Sequence, residues 1–255
     1  MTARQIAERL DFHGSYFEVN VDRDYVYISF SSLSKFFGPT LEVAEQILLQ
    51  PLFPEDELRA YCEKRKQTLT IERRKVDTVV REIFAEALFG DKHPYGISYP
   101  EKDYDTLTRA DLESLYRRLY TAENCLVVCS GRIGEEELQG IGALAEKLPR
   151  ADRSATADFP APRSEAYRFV ERPDAVQSSL RVGRLLFTRT HPDFVGMQVV
   201  ATVLGGYFGS RLMQNLRGEH GYTYGVGAAM VNFERAGYFA VATQTGAEVT
   251  DAALR

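Results

Sequence analysis

The sequence predicts an α+β protein built as two similar domains, and three observations predict it. The order helix, His-Gly, strand, turn, strand occurs twice, at His13-Gly14 and again at His220-Gly221, which reads as an internal repeat of domain size. Each occurrence holds paired alternating runs that read as a hairpin, SYFEVNV with DYVYISF and TYGVGAAMVNF with GYFAVATQT. Between the two copies the composition changes. Residues 151–166, ADRSATADFPAPRSEA, are rich in Pro, Ala, Asp and Ser and show no periodicity, as expected of an interdomain linker. The expected domains are therefore 1–150 and 167–255, joined by 151–166.

In the first copy, ARQIAERL places Ile6 and Leu10 at helical spacing, and the hairpin turns at Asp22 and Arg23. LEVAEQILLQ is an amphipathic helix. A long charged helix opens at Pro54 with acidic residues in its first turn, continues through VVREIFAEALF and stops at Gly90. DKHPYGISYPEKDY is a loop in which His93 holds a turn. Thr108 and Asp111 form a capping-box start for RADLESLYRRLY. NCLVVCSG reads as a buried strand, with Cys125 and Cys129 on one face as buried free thiols, and EEELQGIGALAEKL is a helix ended by Pro149. In the second copy, AYRFVER and QSSLRVGRLLF are expected strands. FVGMQVVATVLGG and SRLMQNLR are expected helices, and VTDAALR starts another. GYFGSR superficially suggests a phosphate loop, but no Walker Lys-Ser/Thr follows and a helix start explains it.

Gly14 and Gly221 need no chemistry. A Gly after a helix stops it by adopting positive φ, and the preceding His favours the negative end of the helix dipole. Only twelve residues precede His13, whereas two strands and a helix precede His220 after the linker. The second copy ends inside an expected helix. Both domains are thus expected to be truncated copies of a longer plan.

The 255 residues are 44% hydrophobic and 26% charged, an ordinary globular composition. A net charge of -5 argues against nucleic acid as a partner. No pooled Lys/Arg block and no run of eighteen apolar residues occur, so neither a membrane patch nor membrane insertion is expected. Three cysteines, Cys62, Cys125 and Cys129, do not suggest a disulfide framework. The compartment stays open.

Three segments matter together: Leu52 to Gly96, the helix and strand from Thr108 to Ile133, and GSRLMQNLRGEHGYTYGVGA. They resemble the pitrilysin and insulinase family of zinc metallopeptidases, which includes the mitochondrial processing peptidase and core subunits of a respiratory complex. HPYG and SRL…LR…GYTYGV carry most of the likeness. The resemblance implies two α+β domains, each an antiparallel sheet with helices packed on one face, closing around a chamber that holds a peptide. It implies a zinc site built on H-x-x-E-H, in which two His four apart share one helix face and the Glu takes a proton from zinc-bound water. The four histidines, His13, His93, His191 and His220, contain no such pair, so no zinc is expected on this chain alone.

The resemblance places Glu72, nine residues after Glu63 in EKRKQTLTIE, at the third ligand position. It equally reads as a solvated helix Glu beside Arg73 and Arg74. Arg217 and Tyr224, seven apart, stand where the family contacts the substrate backbone. Arg offers several donors to a carbonyl and Tyr one rigid hydroxyl. Alternatively, Arg217 caps a helix end and Tyr224 packs on the sheet. The favoured expectation is the non-catalytic half of a peptidase pair. It would act on a peptide or unfolded polypeptide beside a zinc-carrying homologous subunit. The rivals are an active zinc endopeptidase with H-x-x-E-H upstream of Met1, and an assembly subunit without peptidase activity.

Overall fold

The computed structural model describes residues 1–151 and 158–255; residues 152–157 of the expected linker lie outside the described residues. The elements in chain order begin α1 (Ala3–His13), β1 (Tyr16–Val21), β2 (Val26–Ser31), α2 (Phe37–Leu49), α3 (Glu55–Glu72) and α4 (Val76–Phe89). There follow α5 (Arg109–Leu119), α6 (Glu135–Lys147), β3 (Gln177–Leu186), α7 (Phe194–Ala201), β4 (Val226–Asn232), β5 (Gly237–Gly246) and α8 (Thr250–Leu254). The chain groups into two compact units that interleave: Met1–Arg65 with Lys102–Asp158, and Lys66–Glu101 with Phe159–Arg255. The helix α3 contributes to both.

In the first unit, Thr2 and Gln5 form a reciprocal cap on α1, and Gly14 ends the helix with φ 60°. A hairpin follows, antiparallel from Tyr16↔Ser31 to Val21↔Val26. Its turn is tied by Asp22 Oδ1, which accepts from the backbone N–H of Asp24 and of Tyr25 at 2.7 Å. The buried Ser15 and Thr40 hydroxyls lie 2.7 Å apart and join the end of α1 to α2. Further along α2, Tyr116 of α5 donates to Leu48 O at 2.6 Å and Lys147 of α6 pairs with Glu45 at 2.8 Å. The expected capping box on α5 is present, with Thr108 N–H donating to Asp111 Oδ2 at 2.9 Å and Asp111 N–H to Thr108 Oγ1 at 3.3 Å.

In the second unit, β3, β5 and β4 form an antiparallel sheet in the order β3-β5-β4. The helix α4 lies on β3, and the close approach falls at Gly183, where a Cβ would sit 2.8 Å from the Phe84 ring. The core sits at the C-terminal end of α4. Leu88, Phe89 and Tyr95 are buried, packed against Phe84, Phe159, Leu185, Phe233 and Tyr238. Tyr95 stacks on Phe233 with ring centroids 4.2 Å apart, and Phe89 meets Tyr95 edge-on. The helix stops at Gly90, φ 90°. Its last carbonyls are taken by the returning chain: Glu165 N–H donates to Ala87 O at 2.7 Å and Arg163 N–H to Phe89 O at 3.2 Å. These are acceptors that a helix end leaves unsatisfied.

His93 is 3% exposed, and its Nδ1 accepts from Tyr95 N–H at 3.0 Å. Burial lowers its pKa from the usual imidazole value. Protonation would also place a donor against that N–H. Between the lowered folded pKa and the ordinary unfolded value, the unfolded chain binds more protons than the folded one. Stability therefore rises with pH across that window and falls as pH drops below about 6.5. In thermal melts at pH 7.5 and 5.5, His93→Gln should lose less melting temperature on acidification than the wild type. Equal losses would remove His93 from the acid response.

Four expectations need correction. NCLVVCSG is not a strand: Cys125–Ser130 is without a ladder partner among the described residues, Leu126 is 87% and Val128 81% exposed. Cys125 and Cys129 are exposed, and Cys62 alone among the three thiols is buried. AYRFVER likewise carries no strand, with Tyr167 and Phe169 exposed. An apolar run becomes a buried strand only where neighbouring strands and a covering layer are supplied, and neither run has them among the described residues. The long helix from Pro54 does not run through to Gly90. It breaks at Arg73–Lys75, where the Arg73 guanidinium turns to Glu82 at 3.1 Å and to Tyr99 O at 2.9 Å. Finally, the helix after α7 and the one carrying Arg217 are wound as π-turns at Thr202–Gly206 and Met213–Glu219.

Candidate functional site

Tyr224 sits between Gly221, φ 65°, and the start of β4. Its backbone is clamped from both sides. Gly225 N–H donates to Thr223 Oγ1 at 3.0 Å, and the Thr243 hydroxyl of β5 lies 2.9 Å from both Thr223 Oγ1 and Gly225 O. The side chain is 89% exposed, so it does not pack on the sheet. Beside it opens a polar cavity of about 290 Å³ lined by Asp77, Gln177, Thr223, Tyr224, Thr243 and Gln244 among others.

Asp77 comes from the first turn of α4 and faces two guanidiniums, Arg181 at 3.4 Å and Arg81 at 3.3 Å. Ser179 donates to the same carboxylate at 3.4 Å. Arg181 is 17% exposed and its Nε is buried with no hydrogen-bond partner among the described residues. Sequence reasoning missed Asp77. An Asp after Lys75-Val76 at a helix start signals a favourable dipole contact and nothing more specific.

Arg217 lies in the last turn of the π-wound segment and is exposed. Its guanidinium rests on the Phe208 ring, 4.6 Å from the centroid. The segment is anchored to the sheet by Met213, whose Sδ accepts from Val226 N–H at 3.3 Å, and to the following turn by Leu216 O, which accepts from Tyr222 N–H at 2.8 Å. Arg217 and Tyr224 thus flank one turn and end in solvent, while Tyr224 alone of the two lines the cavity. What the pair offers is hydrogen-bond donors.

Glu72 is the last residue of α3 and half-buried. Among the described residues no three His, Cys, Asp or Glu side chains come together as a metal-binding group. All four histidines have local aromatic or backbone partners: His13 meets the Phe36 ring at 4.9 Å, His93 holds Tyr95, His191 stacks on Phe187 at 4.0 Å, and His220 stacks on Tyr222 at 5.0 Å. The residues described do not compose a zinc site around Glu72.

Comparison with known proteins decides the family. Residues 106–255 match the family described as Peptidase M16 inactive domain. The chain belongs to the M16 peptidase family. Its fold is that of a solved M16 inactive domain from Pseudomonas fluorescens, with a TM-score of 0.90 at 24% identity over 100% of this chain and 63% of that one. A protease from Helicobacter pylori has the same fold at TM-score 0.78 and 16% identity, covering 96% of this chain and 61% of that one. Among curated relatives, an uncharacterized zinc protease of Rickettsia bellii is 25% identical over 253 residues, 96% of this chain and 59% of its own length. An uncharacterized zinc protease of Mycobacterium tuberculosis is 29% identical over 174 residues, 65% of this chain and 39% of its own. This M16 chain therefore spans less than two thirds of the relatives it matches. It is α+β throughout, and none of its described helices is long and apolar enough to cross a membrane.

Proposed function

We propose that this M16 chain is the substrate-contacting, non-catalytic half of a zinc peptidase, closing a peptide chamber against a zinc-carrying homologous subunit. The observation that carries the reading is the pairing of exposed Arg217 and Tyr224 on backbone segments that are themselves pinned to the sheet. Long polar side chains held at their roots and exposed to solvent suit an extended polypeptide, whose carbonyls recur along its length and whose sequence varies. The match to the inactive-domain family supports a role in binding rather than bond cleavage. The two-copy organisation, 1–150 and 167–255, belongs to the same reading. Its support is that helix, positive-φ glycine and antiparallel hairpin follow one another both at Ala3–Ser31 and at Met213–Gly246.

The test is binding of fluorescein-labelled, unfolded casein to the chain, followed by anisotropy. Arg217→Ala removes a charged donor and should weaken binding about tenfold; Tyr224→Phe removes a neutral one and should weaken it about threefold. Circular dichroism should show both variants folded, since both side chains are exposed. Casein binding untouched by either change would sink the reading and favour an assembly subunit. Casein cleavage by the purified chain alone would favour an autonomous endopeptidase instead.

A further inference from the structure

The turn Gly206-Tyr207-Phe208-Gly209 stands out on the second unit. Tyr207 is 55% and Phe208 73% exposed, yet the residues on either side are buried. Gly205 is pressed against β4, where a Cβ would come within 2.6 Å of Ala228 N. Ser210 is 1% exposed, its N–H donates to Tyr207 O at 3.0 Å, and its carbonyl accepts from Gln214 N–H at 2.9 Å. The turn is therefore fixed at both ends, and its aromatic rings are held out of the core by the backbone itself.

Phe208 touches Arg217. The guanidinium lies over the ring at 4.6 Å, and among the described residues Arg217 has no ion pair. The π-winding of Met213–Glu219 sets where Arg217 emerges, and local π-helix is a frequent mark of a functional segment. A free Arg side chain has many rotamers, and ordering it on binding costs entropy. A ring face restricts the guanidinium to one plane by cation–π attraction and leaves its N–H edges pointing outward as donors. Arg stacked in this way is pre-organised for an incoming carbonyl.

We propose that Phe208 is a positioning residue for Arg217: the Tyr207–Phe208 turn presents an aromatic face that holds the guanidinium ready for the backbone carbonyls of an extended polypeptide. This rests on the substrate-contact reading of Arg217 given above, and its test separates the two.

The chain contains no tryptophan, so F208W introduces a single indole that reports on the contact directly. In F208W, adding R217A should change the indole emission with no ligand present. In casein anisotropy, F208L should weaken binding by about threefold to tenfold, whereas F208Y, which keeps the ring face, should bind within about twofold of the wild type. A structural role for Phe208 would not separate Leu from Tyr at so exposed a position. If F208W emission ignores R217A, or if F208L binds casein as the wild type does while Arg217→Ala does not, the positioning role is overturned and the substrate-contact reading stands. If the wild type itself binds no casein, the substrate-contact reading falls and takes this one with it.

Discussion

Phe89→Ala is expected to destabilise the second unit by about 3–5 kcal/mol, enough to unfold a typical domain of marginal stability. Phe89 is 1% exposed and meets the rings of His93, Tyr95, Phe233 and Tyr238. Truncation removes contacts to four aromatic neighbours that cannot all move into the space. Tyr95 and Phe233 are already stacked on each other, and Phe159 meets both Tyr95 and His93. Phe89→Leu keeps most of the volume and should cost less than half as much. Urea denaturation followed by circular dichroism measures both. A loss below about 1 kcal/mol for alanine would mean that this aromatic cluster is not the centre of the unit.

Gly205→Ala should cost about 1–3 kcal/mol and reach further than its size suggests. The added carbon would lie 2.6 Å from Ala228 N and 2.7 Å from Ala228 Cβ. Ala228 N belongs to the backbone of β4, which pairs with β5, so the relief must come from the segment carrying Gly205. That segment leads into the turn bearing Phe208. The variant should therefore lose casein binding together with stability. Gly196→Ala is the control: it lies in α7 with nothing within 4 Å of the new carbon. Replacing an exposed helical Gly by Ala should leave stability unchanged or raise it by up to about 1 kcal/mol. Equal behaviour of the two variants would refute the close approach at Ala228.

Much of this was legible in the sequence because it is local. Thr108 with Asp111 is a cap whose partners are three residues apart, and it forms as read. Gly14, Gly90 and Gly221 stop their segments with positive φ. The paired runs around Asp22 and Glu234 are hairpins because the turn brings adjacent strands together. What was not legible depends on partners distant in the chain. CLVVC has the apolar pattern of a buried strand, but pattern alone does not tell whether a ladder partner and a covering layer exist. The same holds for AYRFV. Arg73 reads as helix, and only Glu82 and the Tyr99 carbonyl explain why its side chain turns away as α3 ends.

The candidate site divides in the same way. Arg217 and Tyr224 were reached through resemblance, and the structure places them on anchored segments flanking one turn. Asp77 was not reached, because it joins the cavity from α4, far away in sequence, with Arg181 on the strand between. Phe208 was seen only as part of a helix start. Its relation to Arg217 depends on where a π-wound segment puts the guanidinium, and a residue pattern read at ordinary helical pitch does not register that.

The interleaving of the second unit fixes the order in which it can be completed. Arg235 N–H donates to Tyr95 OH at 3.3 Å across 140 positions of chain, and Phe233 is the ring on which Tyr95 stacks. During synthesis the aromatic face of α4 emerges first and waits for β3, and then for β5, before it can be covered. Contacts of such range slow folding, because the closure entropy must be met before any of them forms. Through that interval Phe84, Leu88 and Phe89 are open to other chains, and chaperone capture or aggregation competes with folding. The nascent protein is at its most vulnerable between the emergence of α4 and the arrival of the hairpin at Phe233.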